Sequence, residues 1–318
     1  MSATVVTLGE SMIRLGTPHG RALEETETLL LHVAGAESNV AIGLSRLGLS
    51  TRWVSCLVDN ALGRRIANVL RSQGVDTSCV IWKQDGRNGL YFLELGSAPR
   101  PTKVIYDRAA SAFAQLQIGE VDWRLLQDAQ LLHLTGITPA LSPNCRELIE
   151  LAAHKAREFG LTLSFDVNYR ARLWTPREAN DFLLSYLPNV DILFCSRRDA
   201  ETIFGIEGAA RDVLAQLQDM FGNRVIAVTD EARGSVACAG DKTWSIDSPT
   251  LHVVDRVGAG DAFAAGFLFG LLDSDVEAGL RYGTAYAALK MTQLGDIAWV
   301  TRADLDAYID GSHLQISR

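Results

Sequence analysis

The chain opens on a short apolar run, Val5-Val6-Thr7-Leu8, that ends in Gly9-Glu10, the pattern of a strand buried on both faces. Strand-like patterns recur at 11–16 and 29–33, on either side of a polar stretch, and again at 51–58, 79–83, 89–95 and 102–106. Helical spacing covers 36–47, with Val40, Ile42, Leu44 and Leu47 as its larger apolar positions, and 61–73, where Gly74 offers a left-handed cap. Beyond about residue 125 strands and helices alternate. A strand at 131–135 precedes a helix that Ser142-Pro143 opens with a cap and a first-turn proline, and that stops at Gly160. Strands at 161–165, 190–195 and 224–228 alternate with helices at 177–186, 198–204 and 209–221. Helical patterns at 261–272, 277–294 and 304–309 finish the chain.

This alternation predicts an α/β fold, a central mostly parallel sheet with helices on both faces, built as one domain over 1–318. The β-rich pieces at about 11–33 and 79–108 stand outside the rhythm. They predict a small β-sheet lid inserted into the α/β core, of the kind that closes over a reaction to exclude water. An edge extension or a subunit contact is the other reading, and an open sheet edge favours a homo-oligomer, a dimer or higher. No internal repeat or low-complexity segment interrupts the pattern.

Composition narrows the partners. The 318 residues carry a net charge of −8, which argues against a nucleic-acid binder. The five cysteines (Cys56, Cys79, Cys145, Cys195, Cys238) have no metal-ligand spacing and read as buried thiols of a reducing compartment. No leader pattern precedes the first strand and no apolar run is long enough to span a membrane, so a cytoplasmic location without membrane association is expected. His19, His32, His133, His154, His252 and His313 show no paired spacing and read as structural or exposed.

The most informative stretch is Asp255-Arg256-Val257-Gly258-Ala259-Gly260-Asp261-Ala262-Phe263. Small residues allow a tight turn that aims several N–H groups one way, and the helix pattern that starts at once adds a positive dipole end. Asp261 falls in the first turn, so the segment can hold a phosphate beside a carboxylate base, the minimum for moving a phosphoryl group onto a hydroxyl. A plain helix start with a stabilising acid is the alternative. Two further motifs stand apart from it: Ala34-Gly35-Ala36-Glu37-Ser38-Asn39-Val40-Ala41, and Asp166-Val167-Asn168-Tyr169-Arg170 at the C-terminal edge of a strand, where ligands sit in open α/β sheets. Asn39 alone also reads as an early-helix polar group satisfying local backbone. No G-x-x-x-x-G-K-[ST] occurs, which excludes a Walker-type ATPase, and the absence of G-x-G-x-x-G after the first strand argues against a dinucleotide-binding dehydrogenase.

In these three motifs and their order, the whole chain resembles the ribokinase-like (PfkB) family of carbohydrate kinases, and within it most the 2-keto-3-deoxygluconate kinases. The resemblance implies a ribokinase-like fold, ATP and Mg2+ as cofactors, and a monovalent cation such as K+ in the loop around Asp255. It implies that Asp261 deprotonates the acceptor hydroxyl while the N–H groups of Gly258, Ala259 and Gly260 neutralise the transferred phosphoryl. Gly35 and Asn39 would face the sugar, with Tyr91, Tyr106, Arg108 and Asp296 beside it, and Arg170 would bind the acid end of the substrate. Asn168, Arg170, Ser196, Thr229, Gly234, Gly258, Gly260 and Ala285 would contact nucleotide. Asp199, in Ser196-Arg197-Arg198-Asp199 where the wider family has N-x-x-E, would reach the metal through water. Arg256 departs from the small residue usual there and could pair locally or reach phosphate. Two arginines and two tyrosines in one cleft suit a sugar acid, giving 2-keto-3-deoxygluconate phosphorylated to its 6-phosphate as the expected reaction. A kinase of fructose or ribose, a nucleoside kinase and a catalytically silent binding protein on the same scaffold are the alternatives.

Overall fold

The computed structural model describes residues 4–96 and 99–311; His313 lies outside them. Among the described residues, nine strands form one sheet in the order β13-β12-β11-β10-β9-β8-β1-β4-β5. Its parallel part comprises β1 (Thr4–Leu8), β4 (Ser50–Val58), β5 (Val80–Lys83), β8 (Leu131–Thr135), β9 (Thr162–Asp166), β10 (Ile192–Ser196) and β11 (Val225–Thr229). The central strands are apolar along their length, as strands covered on both faces must be. β12 (Ser235–Ala239) and β13 (Lys242–Ile246) extend the edge as an antiparallel hairpin, which the sequence pattern had left without an element.

One face of the sheet is covered by α3 (Pro143–Glu158), α4 (Pro176–Tyr186), α5 (Arg197–Phe204) and α6 (Ala210–Phe221), burying Leu148, Phe165, Phe182 and Leu217 in one core. The other face is covered by α1 (Ala36–Arg46), α7 (Ala259–Asp273) and α8 (Val276–Met291), around Phe194, Phe263, Phe267 and Tyr286. α2 (Ala61–Ser72) links β4 to β5, and α9 (Arg302–Ile309) ends the described chain.

A second sheet of four strands stands apart in the order β3-β2-β6-β7, built from β2 (Met12–Gly16), β3 (Leu30–Ala34), β6 (Leu90–Glu94) and β7 (Lys103–Asp107). One expectation fails here. Residues 79–83 do not join this small sheet: β5 pairs in parallel with β4, from Ser55 opposite Val80 to Val58 opposite Lys83, as the far edge of the main sheet. The strand–helix–strand unit β4-α2-β5 accounts for this, since a crossover helix returns the chain to the sheet it left.

The first turn of α1 is anchored by a buried acid. Glu37 Oε1 accepts hydrogen bonds from the hydroxyls of Thr135 and Thr138, each at 2.8 Å. The side chain lies against Gly9, where any Cβ would overlap it. Burial pushes the Glu37 carboxyl from an ordinary 4.5 up to about 7, against the lowering effect of the two hydroxyls. Between those two values the folded protein keeps a proton that the unfolded chain has released, so stability falls as pH rises through that window. At about 1.4 kcal/mol per pKa unit, the loss amounts to at most about 3.5 kcal/mol. Glu37→Gln removes this titration. Denaturant unfolding of the two proteins from pH 4.5 to 7.5 is expected to show the wild type losing stability relative to the variant across the window; parallel profiles would contradict the assignment.

Candidate active site

α7 begins at a turn only glycine fits. Gly258 caps the helix at φ +84°, and a Cβ there would overlap the Asp296 carbonyl oxygen. The Ala259 N–H donates to the Arg256 carbonyl at 3.2 Å, and the Ala262 N–H to the Gly258 carbonyl at 2.9 Å. Among the described residues the amides of Gly258, Gly260 and Asp261 meet no acceptor. Of the expected anion-hole donors, Ala259 spends its N–H inside the turn, while the N–H of Asp261 beside them is also unspent. Gly260 is exposed, with no atom within 4 Å of where a Cβ would stand, so the helix head opens onto free space. Unspent amides at the positive end of a helix bind anions.

Directly behind these donors lies the buried Asp261 carboxylate. Asn39 Nδ2 donates to Asp261 Oδ2 at 2.7 Å, and Asn168 Nδ2 reaches Oδ1 at 3.5 Å. Burial raises the Asp261 pKa, while the Asn39 bond and the positive charge of Arg170 oppose the rise. Asn168 holds a left-handed φ of +41°, a strained conformation for a residue other than glycine, and its N–H donates to Asp166 Oδ1 at 3.1 Å. The Asn39 Oδ1 atom is buried without a partner among the described residues. A buried acceptor of this kind needs a donor such as a hydroxyl.

Two more acids complete the cluster. Desolvation, reinforced by Asp261 and Asp199, pushes Asp166 up to about 8. Asp199 is raised by burial too, and its Oδ2 accepts the Tyr169 N–H at 3.4 Å. Arg170 donates from Nη1 to the carbonyls of Asn168 and Tyr169, at 3.3 and 3.0 Å. It has no carboxylate within ion-pair distance among the described residues, so its fork is open to an anion. Three oxygen-rich side chains against one guanidinium suit a hard divalent cation. No group of three or more His, Cys, Asp or Glu side chains converges closely enough to hold a metal directly among the described residues.

On the small-sheet side the expected sugar contacts Arg108, Tyr91 and Asp296 are each tied into buried hydrogen bonds. The Arg108 guanidinium makes two bonds to Glu10 Oε2, at 2.8 and 2.5 Å, both groups buried. The Tyr91 hydroxyl donates to Asp296 Oδ2 at 2.7 Å, and Asp296 Oδ1 accepts from Arg14 Nη1 at 2.6 Å. Arg108, Tyr91 and Asp296 are thus held in fixed orientations at the wall of the cleft, with Arg108 Nη1 making no hydrogen bond among the described residues. Tyr106 differs: its ring stands 5.9 Å from that of Tyr91 and 5.7 Å from the Arg108 guanidinium, and its hydroxyl has no partner among the described residues. Gly35 is required by a chain crossing, because a Cβ there would overlap the Glu10 carbonyl oxygen at the β1–β2 turn. The sequence pattern assigned no site role to Arg14 or Glu10, and Asp166 stood in it only as the first residue of the Asp166-Val167-Asn168-Tyr169-Arg170 motif. Arg14 did leave a signal, the lone charge in Met12-Ile13-Arg14-Leu15.

At the other end of the cleft, Ser196 and Thr229 terminate β10 and β11. The Ser196 hydroxyl accepts the Asp199 N–H at 3.0 Å and so caps α5. Gly234, at φ +121°, turns the chain into β12 where a Cβ would overlap the Ile246 carbonyl. Ala285, on α8, is buried, 6% exposed, in the core. Arg256 is exposed and makes no ion pair among the described residues, contrary to a local salt bridge. The loop at Asp255 does not fit an alkali cation either. Lys290 Nζ donates to the Asp255 carbonyl at 2.9 Å, and Asp255 Oδ2 accepts from Arg14 Nη2 at 2.8 Å and from the Gly295 N–H at 3.1 Å.

Comparison with known proteins meets this geometry from outside. A 2-dehydro-3-deoxygalactonokinase from Haloferax volcanii is 41% identical over 319 residues, 100% of each chain. A 2-dehydro-3-deoxygluconokinase from Bacillus subtilis is 32% identical, covering 97% of this chain and 96% of its own. The crystal structure of 2-dehydro-3-deoxygluconokinase from Thermotoga maritima superposes with a TM-score of 0.91 at 32% identity, over 97% of this chain and all of the other. The family model for pfkB carbohydrate kinases matches residues 2–302, a span that contains the glycine turn, the buried acid behind it and both sheets. The chain belongs to the pfkB family of carbohydrate kinases.

Proposed function

We propose that the protein transfers the γ-phosphoryl group of ATP to the terminal hydroxyl of a 2-keto-3-deoxy sugar acid, 2-keto-3-deoxygluconate (2-dehydro-3-deoxygluconate) being converted to its 6-phosphate. The observation that carries this reading is the pairing of unspent amides at Gly260 and Asp261 with the buried Asp261 carboxylate, held by Asn39. The amides receive the negative charge of the phosphoryl group in transit. Asp261 takes the proton of the acceptor hydroxyl as its oxygen attacks phosphorus, and the bond to the leaving ADP oxygen breaks. The raised pKa of Asp261 makes it a stronger base than an exposed carboxylate, and the Asn39 bond keeps the rise in check. Mg2+ bound with ATP would neutralise phosphate charge, with Asp166 and Asp199 holding it through water.

An acid as substrate is supported by Arg170, whose guanidinium faces the cluster without a carboxylate partner, and by the relatives of the preceding section. The buried acceptor Asn39 Oδ1 suits a polyol, whose hydroxyls are donors. A second reading is the galactonate epimer, favoured by the 41% identity to the Haloferax kinase.

Removal of the Asn39 amide raises the Asp261 pKa further. Asn39→Ala is therefore expected to shift the acid limb of the kcat–pH profile upward by on the order of one unit, together with a fall in kcat. A fall in kcat with an unmoved limb would leave Asn39 a structural residue only. Initial rates with 2-keto-3-deoxygluconate, 2-keto-3-deoxygalactonate, fructose, ribose and adenosine test the substrate class. The expected order places kcat/KM for a keto-deoxy acid above that for every neutral compound by about 100-fold or more, and Arg170→Ala erodes that margin. Preference for a neutral sugar would overturn the acid assignment.

A further inference from the structure

The space between α8 and the glycine turn is filled by charge. Lys290, fully buried near the C-terminal end of α8, sends its ammonium to the backbone carbonyl of Asp255 at 2.9 Å. The same end of α8 holds the preceding strand of chain, since the Met291 carbonyl accepts the N–H groups of Val254 at 2.8 Å and Asp255 at 3.2 Å. The Asp255 carboxylate is occupied in turn by Arg14, the Gly295 N–H and, at 3.0 Å on Oδ1, the Val257 N–H. Arg14 also pairs with Asp296, whose carbonyl oxygen blocks any side chain at position 258.

We infer that the Lys290 ammonium is a built-in monovalent cation: it holds the Asp255 carbonyl, and through it the turn that aims the Gly260 and Asp261 amides, so the enzyme needs no added alkali ion.

The charge count supports this. Arg14 and Lys290 bring two positive charges, Asp255 and Asp296 two negative ones, and all four groups are buried. Burial and Arg14 lower the proton affinity of His32, beside Gly295, against the two aspartates. A further cation would stand unpaired in a buried space, which is costly. Lys290 loses part of its affinity for a proton to burial, but the two aspartates and Asp261 oppose that loss and favour the ammonium. Since Lys290 acts through the Asp255 loop, it is a positioning residue; it touches no reacting atom in this arrangement. The inference rests on the proposed kinase reaction only for where the turn acts, not for which sugar is used.

The test begins with the native enzyme, assayed with ATP and its best acceptor in buffer free of alkali ions, then with KCl or NaCl at matched ionic strength. The expected rates are the same; stimulation by K+ of about tenfold or more would overturn the inference. In Lys290→Ala, kcat is expected to fall by on the order of 100-fold, the effect of misplacing a reacting group by about an ångström, with acceptor KM changing less. K+, ammonium or methylammonium should then restore a large part of it. Failure of every cation to restore activity in a folded variant would overturn the role of the charge. Thermal unfolding needs no substrate and so separates this test from the choice of sugar. K+ is expected to raise the Tm of Lys290→Ala and to leave the wild type where it is, and equal shifts in both proteins would contradict the account.

Discussion

The glycine turn at the head of α7 stands where it does because a buried set of charges grips both of its flanks. Arg14, from the small sheet, bridges Asp255 before the turn and Asp296 across from it, at 2.8 and 2.6 Å. Tyr91 adds a second small-sheet tie to Asp296, and Lys290 fixes the Asp255 carbonyl from below. Breaking a buried pair of this kind on one side strands its partner, at about 3–5 kcal/mol. The same contacts that join the two sheets therefore hold the donors at the helix head in register.

Within that frame the chemistry follows from what has been left unpaired. The amides of Gly260 and Asp261, the acceptor Oδ1 of Asn39, the hydroxyl of Tyr106 and the guanidinium of Arg170 lack strong internal partners among the described residues. Unpaired donors and acceptors are rare in a folded interior and concentrate where a ligand completes them. The acids show the same economy: burial raises Asp166, Asp199 and Asp261 together, so the cluster favours positive charge and makes Asp261 a better base.

Local features were legible in the sequence. The run from Asp255 to Phe263 reads as a tight turn entering a helix because glycine readily takes the φ of +84° found at Gly258. The alternation after residue 125 gives the parallel sheet, since each apolar run is too short for anything but a covered strand. What the pattern does not contain is the partner of a polar side chain. Asn39 and Asp261 are 222 positions apart, and Arg14 and Asp296 are 282 apart. Periodicity could not reveal that Arg108 is consumed by Glu10 or that Lys290 lies under Asp255, because those pairs exist only once both sheets and α8 are in place. The misplaced strand at 79–83 has a nearer cause: its short mixed run resembles its neighbours at 89–95 and 102–106, and only the preceding crossover helix tells them apart. Gly35 and Ala285 also meet packing demands, the first at a chain crossing and the second, on α8, in the core.

The central claim is that Asp261 serves the transferred group chemically while the amides around it hold phosphate. Asp261→Asn keeps the size of the side chain and can keep its contacts, but cannot take the proton. Nucleotide affinity measured by calorimetry beside single-turnover phosphoryl transfer tests this most directly. Transfer is expected to slow by about 1,000-fold or more while the ATP Kd changes little. Near-normal transfer in the variant would contradict the account.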